Sequence, residues 1–277
     1  MVEFHADTVS LVSAVLGLFI VVFGLTSMPI KEWLYLSEAL VATLFGIAIG
    51  PAALDLVNPA DWGDSEVITL QFSRIIIAMS VMAAGVTLPK AYLFKEWRSL
   101  TVLLLPVMFF KWLASAAIIV WLLPVSFMEA LMLAACITPT DPVLANSIAK
   151  GRFAEQHVPE NVRNILSAES GANDGLGFPY LFFPILFLRR ASHAEAIGEW
   201  FYSIWAYQIL LSILIGAAVG YAARKLLYYA ESRELIDKES FLVFSFALAM
   251  FIMGFVFIIG SDDLFAVFIA GNAFTWE

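Results

Sequence analysis

Three carboxylates interrupt otherwise apolar stretches of this 277-residue chain: Asp141, Glu169 and Asp174. A charged side chain in such a setting costs about 3 kcal/mol by insertion scales, and it persists where it lines a cavity, pairs with a neighbour or carries transport. Asp141 lies in Ala135-Cys136-Ile137-Thr138-Pro139-Thr140-Asp141-Pro142-Val143-Leu144. Pro139 and Pro142 remove backbone donors and clash with preceding carbonyls, and each biases the residue before it away from helical geometry. A helix should break there, leaving carbonyls free beside the Thr140 hydroxyl and the Asp141 carboxylate. Broken backbone at membrane depth is tolerated where it is buried in protein or faces water, and such breaks bind ions. A kinked helix whose Asp141 merely caps the lower half is the structural alternative.

Glu169 and Asp174 lie in Arg163-Asn164-Ile165-Leu166-Ser167-Ala168-Glu169-Ser170-Gly171-Ala172-Asn173-Asp174-Gly175. On a helix Glu169 stacks over Asn173 and Ser170 over Asp174. The two stripes are about 100° apart and form one polar wedge. Gly171, Ala172 and Gly175 let a neighbouring helix approach closely. A polar seam stapling two helices, with Arg163 or Lys111 as partner, is the bland alternative. The chemistry this wedge supports is competition between a cation and a proton. Burial disfavours a charged carboxyl and a nearby cation favours it, so such a group holds a metal when ionised and releases it when protonated. Alternating exposure to two sides would give exchange with no covalent step. Carboxylate, hydroxyl and freed carbonyl oxygens suit hard cations such as sodium. Cys136 and the histidines His5, His157 and His193 do not cluster, which argues against a transition metal. No cofactor is expected.

The elements that must position these groups follow from composition. The chain is 61% hydrophobic and 14% charged, with mean hydropathy +0.87, where soluble domains carry about a quarter charged residues. Apolar runs of about 20 residues fall at Thr8–Ser27, Leu34–Leu54, Val67–Leu88, Leu100–Leu123, Phe127–Ala149, Val162–Leu188, Ile204–Leu227 and Ser240–Gly260, and a ninth opens near Leu264. The expected fold is an all-α polytopic membrane protein with eight full spans, an unwound fifth, and connections at Val57–Glu66, Gly151–Asn161, Arg189–Ser203 and Tyr228–Glu239. Glu3 and Asp7 precede the first run with no basic residue among them, unlike a cleavable signal.

Lys31, Lys90, Lys95, Arg98, Lys150, Arg152, Arg163, Arg224, Lys225, Arg233 and Lys238 fall on one side, and Arg189 and Arg190 on the other. The positive-inside rule then puts the N-terminus outside, with Asp55, Asp61, Asp64 and Glu66 in an outer loop. Arg74 and Lys111 lie within spans. Trp33, Trp62, Trp97 and Trp200 sit near span ends as interfacial anchors. The net charge of −9 reflects acidic loops, and no basic, aromatic-laced stripe suits a nucleic acid. Cys136 is single, so no intrachain disulfide is available.

The pairing of Thr140-Asp141-Pro142 with Glu169-Ser170-x-x-Asn173-Asp174 resembles the cation/proton antiporter superfamily. Leu104-Leu105-Pro106-Val107-Met108, Thr140-Asp141-Pro142-Val143-Leu144-Ala145, Leu166-Ser167-Ala168-Glu169-Ser170-Gly171 and Ile236-Asp237-Lys238-Glu239-Ser240-Phe241-Leu242-Val243-Phe244 are similar to the fungal plasma-membrane Na+/H+ antiporters. The resemblance implies roughly thirteen helices in two inverted repeats, an outside N-terminus, and a homodimer whose interface is separate from the transporting core. It implies Thr140 and Asp141 at the crossing of two unwound helices, Asp174 as the main cation and proton carboxylate, Ser170 as a ligand, Glu169 as a supporting group and Asn173 as the organiser. The basic partner that Glu169 has in such relatives belongs to a later helix. Residues 1–277 are therefore expected to be the N-terminal part of an exchanger's transmembrane domain, stopping before the second repeat is complete. Na+, with Li+ or K+ as alternatives, would exchange for H+ across the plasma membrane, in pH and cation homeostasis and salt tolerance. An intramembrane aspartyl protease using Asp141 and Asp174 is a rival, although Gly171-Ala172-Asn173 replaces the Gly-x-Gly expected before its aspartate. A cation channel is another, although the acidic groups concentrate in two spans.

Overall fold

A computed structural model of the chain describes residues 8–33, 38–141, 145, 152–236 and 238–276. The regular elements among them are helical: α1 Thr8–Trp33, α2 Glu38–Ile49, α3 Ser65–Thr87, α4 Tyr92–Lys95, α5 Trp97–Leu122, α6 Phe127–Ile137, α7 Arg152–His157, α8 Glu160–Arg189, α9 His193–Ser232, α10 Lys238–Ile259 and α11 Asp263–Phe274. A short 3₁₀ turn at Pro59–Trp62 precedes α3. By length and hydropathy, Ser10–Ser27, Ser65–Thr87, Trp97–Leu122 and His193–Ser232 are each able to cross a membrane. The 30 residues of α8 are longer than a bilayer core requires, but the polar wedge dilutes their hydropathy. The chain is a multi-pass membrane protein.

Several boundaries differ from those read off the apolar runs, each for a local reason. The second run stops at Ile49 rather than Leu54, because Gly50 and Pro51 follow and the chain turns. The connection at Arg189–Ser203 is short. A helix begins again at His193, and the Arg190 guanidinium reaches forward to Glu199, with Nη2 donating to Oε1 at 2.7 Å. Two stretches of π-helix lie inside longer helices. Leu103–Val107 surrounds Pro106 in α5, where a missing N–H loosens the ladder, and Trp200–Leu210 lies within α9. Of the fifth run only α6 is helical before the break. Pro142, Val143 and Leu144, and residues 146–151, lie outside the described residues.

The chain divides into two compact units. The first holds α1, α2 and the start of α3 as far as Ser73. In it α1 and α2 meet through Phe19 and Phe45, whose rings stack at 4.3 Å, while Leu18 and Leu25 are exposed as lipid-facing residues would be.

The second unit is organised around α11. This helix has only 12 residues, about 18 Å of length, yet it is covered on all sides, with Phe265, Ala266, Val267, Phe268, Ala270, Gly271, Asn272 and Ala273 buried. Small residues on three other helices allow this. A Cβ on Gly85 of α3 would lie 2.7 Å from Phe268 O. On α8, a Cβ on Gly171 would meet the Phe268 ring and one on Gly175 the Phe265 ring. On α9, Gly216 and Gly220 bring the backbone against Ala266 and Ala270. Lipid tails are as apolar as leucine, so helices associate in a bilayer through such close packing rather than through hydrophobic exclusion. Gly220→Ala sets a methyl 2.7 Å from Ala270 Cα. It should lower stability by about 1–3 kcal/mol through overpacking, read as a lower melting temperature in detergent.

Both ends of α11 are capped by charge of the sign the helix dipole favours. Asp262 Oδ1 accepts from Phe265 N at 3.0 Å, and Arg224 Nη1 donates to Phe274 O at 3.0 Å. Between α10 and α11 the chain turns through Gly260, whose φ of +84° suits a residue without a Cβ. Side chains of α9 hold this turn. Tyr207 Oη donates to Ile259 O at 2.6 Å, Gln208 Nε2 to Gly260 O at 2.8 Å, and the Ser212 and Ser261 hydroxyls meet at 2.9 Å.

Candidate functional site

The site grows from the end of α6. This helix starts firmly, because Ser126 and Glu129 form a reciprocal cap in which Glu129 Oε2 accepts from Ser126 N at 2.8 Å and Ser126 Oγ from Glu129 N at 3.3 Å. It ends at Ile137, two residues before Pro139, whose missing N–H and ring disfavour a further turn. The buried Thr138 hydroxyl turns back to Ala134 O at 2.7 Å. Thr140 and Asp141 follow in non-helical backbone. The break fits against α8 at a glycine: a Cβ on Gly177 would stand 3.1 Å from Pro139 Cγ.

Four of the residues singled out in the sequence are laced together across the break. Thr140 Oγ1 donates to Glu169 Oε2 at 3.0 Å. Asn173 Nδ2 donates both to Thr140 Oγ1 at 2.8 Å and to Glu169 Oε1 at 2.8 Å. Ser170 Oγ donates to the backbone carbonyl of Thr140 at 3.0 Å, occupying a carbonyl that the break had freed. Ser170 and Asn173 are each 1% exposed, so these bonds are made away from solvent, where an unmade one costs most. Both oxygens of Glu169 are engaged, and Asn173 donates to both Glu169 of α8 and Thr140 of the break. Its Oδ1 is buried with no donor among the described residues. The polar-seam alternative named Arg163 or Lys111 as a partner; Arg163 Nε is buried without a hydrogen bond among the described residues.

Asp174 is partly buried one residue beyond this lattice. The negative charges of Asp141, Asp262 and Glu169 all act on it. Asp141 itself is exposed, and its carbonyl accepts from Ala145 N at 2.9 Å. Pro142, the second helix-breaking residue, lies outside the described residues. Repulsion among four carboxylates is unfavourable unless cations or protons offset it.

Asp262 was missed in the sequence. It sits between the eighth apolar run, ending at Gly260, and the ninth, opening near Leu264, and so reads as a connecting residue. In the structure it is 2% exposed, with Oδ2 lacking a hydrogen-bond partner among the described residues. The available signal was the spacing. Ser261-Asp262-Asp263 is too short to leave an apolar environment and return, and an acid just before an apolar run is an N-cap pattern.

Among the described residues no three His, Cys, Asp or Glu side chains gather closely enough to hold a metal ion between them. The oxygens at the break are of mixed kind: carboxylate, hydroxyl, amide and carbonyl. A cavity of about 340 Å³ nearby, lined by Trp112, Leu131, Tyr180, Phe183, Trp200 and Trp205 among others, carries no carboxylate.

Comparison with known proteins identifies relatives of this chain. The chain is 42% identical over 264 residues to Na(+)/H(+) antiporter 2 of Zygosaccharomyces rouxii, covering 94% of the chain and 32% of that protein. It is 45% identical over 266 residues to a probable Na(+)/H(+) antiporter of Schizosaccharomyces pombe, covering 95% and 35%, and 43% identical over 267 residues to a Na(+)/H(+) antiporter of Saccharomyces cerevisiae, covering 95% and 27%. The chain thus spans about a third of the length of these curated relatives. No solved structure matches it. The family model described as sodium/hydrogen exchanger, transmembrane, matches residues 13–276. With nearly the whole chain so matched, the protein belongs to the sodium/hydrogen exchanger transmembrane family.

Proposed function

We propose that the whole protein exchanges Na+ for H+ by letting the two compete for Asp174. The observation that carries this reading is the hydrogen-bonded break. Thr140, on unwound backbone, is tied to Glu169, Ser170 and Asn173, and the tied segment adjoins a partly buried Asp174 on which three further carboxylates act. In this reading Asp174 binds the cation when ionised and releases it when protonated. Ser170 and Thr140 offer additional oxygens, Glu169 supports the site, and Asn173 holds the two helices in register. Asp141 contributes charge at the mouth of the break. The relatives' names, Na(+)/H(+) antiporters, support Na+ and H+ as the exchanged ions, with Li+ and K+ as the competing choices. The basic residues gathered on one side of the spans support an outside N-terminus, and the family resemblance supports a plasma-membrane homodimer.

The test uses the full-length protein in lipid vesicles loaded with sodium and diluted into sodium-free buffer. Sodium leaving down its gradient should draw protons in and acidify the lumen, and reversing the gradient should reverse the sign. Replacing sodium by lithium or potassium in parallel ranks the ions. A lumen pH that moves no more than in protein-free vesicles, with all three ions, overturns the reading.

A further inference from the structure

We infer that Arg74 is a positioning residue of this site: by clasping both arms of the α10–α11 turn, it fixes Asp262 and its buried carboxylate. The inference rests on the exchange reading and adds to it a residue on a different helix.

Arg74 lies within α3, where a guanidinium needs an anion or a ring to justify its position. It has both. Its Nη2 donates to Asp263 Oδ2 at 2.6 Å, with side chains only 14% and 13% exposed. Its guanidinium carbon also lies 3.8 Å from the centroid of the Phe257 ring. Phe257 belongs to α10 and Asp263 to α11, so one cation touches the chain on both sides of the Gly260 turn. Asp262 stands inside that clasp, spending Oδ1 on Phe265 N and leaving Oδ2 buried without a partner among the described residues. The link to the site is packing. Gly175, next to Asp174, has no Cβ because Phe265 occupies that space, at 2.8 Å from Cδ2. Phe265 is the residue whose N–H Asp262 caps. Arg74 therefore sets the turn, the turn sets Asp262 and Phe265, and Phe265 seats directly on the helix carrying Asp174. A charge-assisted bond at low exposure has little freedom to re-form elsewhere. Loss of the cation would also leave Asp263 part-buried and unneutralised beside the turn.

The experiment compares sodium-driven proton uptake in vesicles for the full-length protein, Arg74→Gln, Arg74→Lys and the exchanged pair Arg74→Asp with Asp263→Arg, each normalised to folded protein. Arg74→Gln should raise the KM for sodium by about tenfold or more while the rate at saturating sodium changes much less, because the displaced carboxylate belongs to the bound-cation state. Arg74→Lys and the exchanged pair should return KM to within about threefold of the parent. An Arg74→Gln variant with unaltered KM overturns the inference, since a merely structural arginine would lower the amount of folded protein and nothing else. An exchanged pair with KM as poor as Arg74→Gln overturns it as well. Where neither variant folds, Arg74→Lys decides by the same threshold. A parent protein that moves no protons refutes the exchange reading itself. An active parent silenced by Asp174→Asn, with Arg74→Gln at parental KM, refutes only the role of Arg74.

Discussion

Asp174→Asn should abolish sodium-driven proton movement while leaving the protein folded. Asparagine keeps the shape of the side chain but can neither offset a cation nor carry a proton, so both halves of the competition are lost. Removing one partner of a poorly solvated ion pair costs about 3–5 kcal/mol, equivalent to roughly two to four powers of ten in rate or affinity. Residual exchange should therefore fall to the level of protein-free vesicles. The stability effect should run the other way. Asp141, Asp262 and Glu169 all repel a charge at Asp174, and asparagine removes that repulsion. The melting temperature in detergent should hold or rise. A variant that loses activity together with stability would indicate a structural role for Asp174. One that keeps sodium-driven flux would exclude it as the exchanging carboxylate.

The second large effect is expected at Asn173. Its amide donates two bonds of 2.8 Å, to Thr140 Oγ1 and Glu169 Oε1, from a position 1% exposed. Asn173→Ala removes both and leaves a partly buried carboxylate oxygen with no donor in the bridge. Bonds to charged groups contribute about 1.5–3 kcal/mol and neutral ones about 1 kcal/mol, so the two together amount to about 2–4 kcal/mol. Part of this is recovered because Oδ1, itself without a donor among the described residues, goes as well. The variant should melt at a lower temperature and should bind sodium less tightly, because Thr140 then keeps only its bonds to Glu169 and Ser170 of α8. Asn173→Asp should be worse, since it replaces the donor by an acceptor facing Glu169. Unchanged melting and unchanged sodium KM in Asn173→Ala would mean that the bridge neither holds the break nor shapes the site.

The break and the wedge were legible in the sequence because each violates the rule of its surroundings. The helix α6 stops at Ile137, before Pro139, although proline does not stop every helix of this chain: α8 runs on through Pro179 and Pro184. Glu169 and Asn173 share a face by helical period alone, and they meet at 2.8 Å. That Thr140 would be the third member of the cluster depended on α6 and α8 lying side by side, which no spacing encodes. Asp262 and the Arg74 clasp were not legible for a related reason. Arg74 and Asp263 are 189 positions apart, and a partner at that distance is chosen by how helices cross.

The ninth run shows the division most clearly. Hydropathy alone leaves its place open, because protein interior and lipid are equally apolar and composition cannot tell them apart. In the structure it is α11, the most thoroughly enclosed helix of its unit, and glycines on α3, α8 and α9 make the room for it. The residues alone specify the class of protein, the place where α6 stops, and the face on which Glu169, Ser170, Asn173 and Asp174 lie. Those follow from local sterics and from the cost of charge in an apolar setting. Which carboxylates share a neighbourhood, and that Arg74 meets Asp263, follow from tertiary packing. Electrostatic partners are set by distance in space, and only the crossing of α3, α8, α9 and α11 brings these groups within reach.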